Sequence, residues 1–178
     1  MKSLRELREF KLRVQHQNLT VRRFHAFDKT GLIDWDVPLS VGYNLQRSFV
    51  WTLEQKQELI WSVLLDRDIS KISVISITEG SNKRLQIIDG KQRLNALLTF
   101  MDNDYYIDFD NGFSYFYEQL DPDYQLAISS LDLDVGTVYE DIDKPISDKD
   151  KIDWFNRINF AGTPQDLTHQ LKLKGFVG

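Results

Sequence analysis

Apolar residues recur along this chain in two periods that divide it into helices and strands. Leu94, Leu97, Leu98 and Met101 stand at i, i+3, i+4 and i+7, the spacing that lines one face of a helix. Leu59, Ile60, Val63 and Leu64 form a second such face. Its start is marked by a capping box, Thr52 with Gln55 three residues on, and its end is expected near Asp66. Between the two helices, residues 72–78 and 84–88 are rich in Ile and Val. They are separated by Glu79-Gly80-Ser81-Asn82, which predicts a hairpin.

The remaining segments extend this mixed order. Residues 3–14 predict a short helix with Leu4, Leu7 and Val14 on one side. Trp35, Val37 and Leu39 alternate as a strand, which Pro38 confines to a sheet edge. Asp110-Asn111-Gly112 between two aromatic runs, 105–109 and 113–117, predicts a second hairpin. Its Asp108-x-Asp110-x-Gly112 spacing departs from a calcium loop, because the Gly comes one position early and the distal Glu is missing. Asp121-Pro122 opens a helix running to about Ser130, and 131–139 predicts a strand. Ser147 with Asp150 caps a helix carrying Ile152, Phe155 and Ile158. Gly162-Thr163-Pro164 breaks it and starts a last helix through Leu167 and Leu171.

A chain of 178 residues supports one domain with a substantial core. Charge subdivides it. Residues 1–25 carry a net +5 and residues 102–153 a net −12, within an overall −5. We therefore expect a basic N-terminal helical arm over 1–25 and a single domain over 26–178. The arm could meet nucleic acid or an acidic partner, whereas the acidic stretch repels a phosphate backbone; both could equally be solvated faces. The absence of cysteine excludes disulfides and thiolate chemistry, and His16, His25 and His169 are too scattered for a metal site. No apolar run is long enough for a membrane span and no secretion signal opens the chain, so a cytoplasmic location is expected.

The candidate chemistry lies in Ile87-Ile88-Asp89-Gly90-Lys91-Gln92-Arg93-Leu94, where a strand ends in an Asp-Gly turn that opens a helix. Such a junction directs N–H groups, first-turn side chains and the helix dipole at one point, which favours an anion, above all phosphate. Gly90 permits the tight turn. Asp89 is suited to capping the helix or to holding a metal or water, and Arg93 offers a planar fork. The same pattern also serves as ordinary loop chemistry, and Arg47 and Arg93 could each pair with a surface carboxylate for about 0–1 kcal/mol. Trp51, Trp61 and Trp154 are expected to be core aromatics. Phosphate-binding Gly-rich loops, zinc-protease helices and serine-hydrolase elbows are absent from the sequence.

Two further segments accompany the turn: residues 44–56, containing Gln46-Arg47 and Trp51, and residues 154–164, containing Phe155, Ile158-Asn159 and Gly162-Thr163-Pro164. Together, over about residues 37–170, the three motifs resemble the ParB/sulfiredoxin-like N-terminal domain of GmrSD-type restriction endonucleases. That family's signature is Asp-Gly-Gln-Gln-Arg, here Asp89-Gly90-Lys91-Gln92-Arg93, with Lys91 replacing the first Gln. The resemblance implies an α+β fold with a small mixed sheet flanked by helices. It also implies nucleotide binding tied to control of DNA cleavage. The nuclease domain usually attached to it is larger than this length accommodates, so a separate nuclease subunit, or DNA itself, is the expected partner. The size also suits a phage or mobile-element product.

Three functions follow as expectations. In the first, the chain is an NTP-binding and possible NTP-hydrolysing module. Gln46, Arg47, Gly90, Lys91 and Arg93 bind phosphate, Asp89 holds Mg2+ or orients water with Gln92, and Asp89, Gln92 and Arg93 form the catalytic set. Loss of either Arg is then expected to lower phosphate affinity by about 1.5–3 kcal/mol with little cost to the fold. The second is a metal-dependent DNA-nicking nuclease built on Asp89. The third is a non-enzymatic module whose acidic stretch imitates nucleic-acid charge.

Overall fold

The computed structural model describes residues 12–69, 71–79, 82–141, 143 and 145–159. Its centre is a five-stranded mixed sheet in the order β1-β7-β3-β4-β2. The strands are β1 (Gln15–Thr20), β2 (Ile33–Asp34), β3 (Ile72–Glu79), β4 (Asn82–Asp89) and β7 (Asp132–Asp141). A two-stranded sheet of β5 (Ile107–Asp108) and β6 (Ser114–Tyr115) stands apart. The helices are α1 (Val21–Lys29), α2 (Leu53–Leu64), α3 (Lys91–Met101), α4 (Pro122–Ser129) and α5 (Asp148–Asn159). This is an α+β fold with a small mixed sheet flanked by helices.

Both faces of the sheet are buried, because successive strand residues point to opposite sides. Val74, Ile87, Leu133 and Val135 meet Leu59, Ile60 and Val63 of α2 and Leu94, Leu97 and Leu98 of α3 in one core. Ile75, Ile77, Ile88 and Val138 face Ile152, Trp154 and Phe155 of α5, together with Val37, Leu39 and Leu45. Burial of an aliphatic side chain contributes roughly 1.5–3 kcal/mol, so the site helix α3 is pinned along its length.

The antiparallel β3–β4 hairpin and the capping box of α2 form as their sequences predict. The alternating segment Trp35-Val37-Leu39 does not become a strand. Val37 and Leu39 are buried, but pairing there is limited to an isolated bridge between Pro38 and Asn44, since Pro38 lacks the N–H a ladder needs. The edge strand lies just before it, where Ile33 and Asp34 run parallel to Leu85 and Gln86. Residues 15–20, within the expected arm, form β1 and pair antiparallel with β7, and residues 21–25 belong to α1. The expected helices over most of 3–14 and beyond Gly162 lie outside the described residues. Among the described residues, no helix is long and apolar enough to cross a membrane.

Candidate anion-binding cleft

Strand β4 reaches the site through a bulge. Val74 pairs with Ile87 but Ser73 pairs with Asp89, so one extra residue is inserted just before the turn and the end of the strand is redirected. Gly90 then adopts φ 89°, ψ 10°, a left-handed conformation open mainly to glycine. A Cβ at this position would run into Cδ1 of the fully buried Ile72, which would have to shift. Both conformation and space therefore require Gly90. It is the N-cap of α3 and no side chain caps the helix, so Asp89 does not have the capping role that its place in sequence allows. Among the described residues the amide N–H groups of the first turn have no side-chain acceptor, at the positive end of an 11-residue helix.

A cleft of about 160 Å³ opens over this helix start, lined by Gln46, Arg47, Trp51 and Asn159 around residues 89–93. Three chain segments far apart in sequence, 46–51, 89–93 and the end of α5, thus converge. Arg93 Nη2 donates to Asp89 Oδ2 at 3.0 Å and to the Lys71 carbonyl at 2.8 Å, which fixes the guanidinium at the rim. Its Nε is buried and without a hydrogen-bond partner among the described residues. Arg47 is exposed and, among the described residues, makes no hydrogen bond or ion pair. One guanidinium is therefore balanced by Asp89, and the other is free to meet an anion.

Three expected site residues have other tasks. Gln92 Oε1 accepts the N–H of Val50 at 3.0 Å and of Trp51 at 3.3 Å, and its Nε2 donates to the Ser48 carbonyl at 2.9 Å. This amide holds the loop after Arg47 against the helix. Lys91 is buried, with its ammonium 2.7 Å from Asp36 Oδ1 and 4.6 Å from the Phe49 ring centre. An unpaired buried ammonium is costly, and Asp36 and the ring compensate it. Lys91 thus contributes little net charge to the cleft. Gln46 is buried and donates to the Ile87 carbonyl at 3.1 Å, bracing the final turn of β4.

Asn159 and Trp51 line the cleft although neither was expected among its functional residues. Asn159 sits in the last turn of α5, where its Nδ2 donates to the Phe155 carbonyl at 2.8 Å. Its place in the Ile158-Asn159 motif was the available signal. Trp51 is only partly buried against the core, unlike Trp154, which is buried as expected.

The fold and the cleft define an α+β domain with a strand–turn–helix site suited to an anion. The sequence matches the family model described as "GmrSD restriction endonuclease, N-terminal domain" over residues 43–175, a span that holds every residue lining the cleft. The chain belongs to this family of GmrSD restriction endonuclease N-terminal domains. No curated protein and no solved structure matches it.

Proposed function

We propose that the chain binds a nucleotide through its phosphates in the cleft over Gly90, as the ligand-binding module of a DNA-restriction system. The observation that carries this is the free Arg47 guanidinium beside an uncapped helix start whose other arginine, Arg93, is already fixed. Charge-assisted bonds of this kind are roughly twice as strong as neutral ones. The cleft, at about 160 Å³, is smaller than the roughly 300–1,000 Å³ of pockets that enclose a drug-sized ligand. It therefore suits the phosphate end of a nucleotide, with the base projecting outward.

Binding is better supported than hydrolysis, because Gln92 is committed to the 48–51 backbone and Asp89 to Arg93. Magnesium ion commonly combines one or two carboxylates with substrate phosphates, and Asp89, although paired with Arg93, is the carboxylate that lines this cleft. A nicking nuclease has less support. Among the described residues no group of three or more His, Cys, Asp or Glu could hold a metal ion. Charge mimicry is weakened by the partners of the acidic residues: Asp102 is held by His25 and Lys29, Asp134 by Lys71, and Glu140 is buried beside Lys151. The physiological partner in this proposal is a DNA-cleaving subunit or domain.

Calorimetric titration with each of the four NTPs, with and without Mg2+, tests the proposal. Saturable heat that diminishes in Arg47→Ala is expected. Absence of heat with every nucleotide overturns it, and plasmid nicking abolished by Asp89→Ala would favour the nuclease instead.

A further inference from the structure

A second cleft, of about 280 Å³, lies between the β5–β6 hairpin and the start of α4. Its walls include Phe109, Tyr115 and Tyr124. The Phe109 ring centre is 5.1 Å from that of Tyr115 at an interplanar angle of 78°, and 6.0 Å from that of Tyr124 at 57°. Trp61, which does not line the cleft, packs edge-on against Phe109 at 4.8 Å and supports it. Asn111 Nδ2 donates to the Tyr115 hydroxyl at 3.2 Å, and Gln125 Nε2 to the Leu120 carbonyl at 2.8 Å, tying down hairpin and helix start.

Asp121 also lines this cleft. It is the N-cap of α4, yet its side chain makes no capping bond, and among the described residues it has no ion pair. An Asp at this position ordinarily accepts an N–H from the first turn. Here a carboxylate shares the cleft lining with three aromatic rings. Such rings attract a cation through their faces, and a neutral apolar guest would desolvate the carboxylate without compensation. The chain on either side of the lining residues has the same polarity: residues 104–126 contain six Asp or Glu and no Lys, Arg or His.

We propose that this cleft binds an organic cation, and that its occupant is an Arg or Lys side chain presented by a partner polypeptide. A basic segment would gain from Asp121 at the cleft and from the field of Asp110, Glu118 and Asp123 around it, whereas a free amine has one carboxylate to meet.

Titration of the full chain by heteronuclear NMR tests this, using the peptide acetyl-Gly-Arg-Gly-Arg-Gly-amide, its citrulline counterpart and choline. Saturable shifts over residues 107–126 are expected with the Arg peptide, with affinity about tenfold lower for citrulline. Tyr124→Ala and Asp121→Asn should each weaken the Arg peptide by about tenfold while the rest of the spectrum is unchanged; Asn is as good a cap as Asp. Equal binding of the citrulline peptide, or variants that bind like the parent, overturns the cation site. Choline binding as tightly as the Arg peptide overturns the partner side chain as occupant and assigns the cleft to a small free organic cation.

Discussion

The side-chain oxygen of Gln92 accepts the backbone N–H of Val50 at 3.0 Å, joining the start of α3 to the loop that follows Arg47. Together with its bonds to Trp51 and Ser48, this makes Gln92 the tie across the cleft. Gln92→Ala should lower stability by about 1–2 kcal/mol, since the released backbone groups are close enough to solvent to be rehydrated. Gln92→Glu separates position from charge. It can still accept both N–H groups but cannot donate to Ser48, and it adds negative charge to the cleft proposed to take an anion. Denaturation curves should show the smaller stability loss for Gln92→Glu, while phosphate titration should show a loss of affinity in both variants.

Arg47 and Arg93 should differ in a way the sequence alone does not reveal. Arg47→Ala is expected to reduce nucleotide affinity by about 1.5–3 kcal/mol and to leave stability within about 0.5 kcal/mol. Arg93→Ala should reduce both, because Arg93 also holds Asp89 and the Lys71 carbonyl. The initial expectation of little fold cost for either arginine is thus retained for Arg47 alone. Parallel calorimetry and urea unfolding of the two variants distinguish them, and equal stability losses would contradict this division of roles.

Two glycines provide an internal comparison. Gly31 and Gly90 both have positive φ, 68° and 89°, but a Cβ at Gly31 meets nothing within 4 Å while one at Gly90 collides with Ile72 Cδ1. Gly31→Ala should cost about 1–2 kcal/mol, the conformational penalty alone. Gly90→Ala should cost roughly 1–3 kcal/mol more, because Ile72 and the helix start must shift. Denaturant midpoints of the two variants give the difference directly.

Elements whose own residues set their burial were readable in the sequence. The β3–β4 hairpin and helices α2 and α3 carry long apolar patterns, and α2 is capped by neighbours in sequence. Strand β1 was not, because Gln15-His16-Gln17-Asn18 is polar and mostly exposed; its order comes from pairing with β7 more than 110 residues away. Helix α1 buries only Val21 and Phe24, too few to set a period. At the site, the motif indicated which segments meet, but not their division of labour. Gln92 and Lys91 line the cleft and also bond to residues 41 to 55 positions distant, contacts that no local pattern announces.

Acid stability should depend on Asp102, at the end of α3. Burial opposes its charged form, but bonds from Lys29 Nζ at 2.6 Å and His25 Nε2 at 2.9 Å outweigh that and hold its carboxyl below the ordinary 3.8. A carboxyl with a lowered folded-state pKa contributes stability that is fully present above the unfolded value. That contribution is lost as pH falls through the folded value. The native protein should therefore lose stability progressively as pH drops below about 4, and Asp102→Asn should be less stable near neutrality but show a shallower decline in this window. Asp134 is lowered as well, mainly through its bond from Lys71, but it is more exposed and solvent screens its contribution. Urea denaturation at intervals between pH 2.5 and 6 measures the slopes; parallel curves for the native protein and Asp102→Asn would show that the His25–Asp102–Lys29 cluster contributes nothing to acid sensitivity.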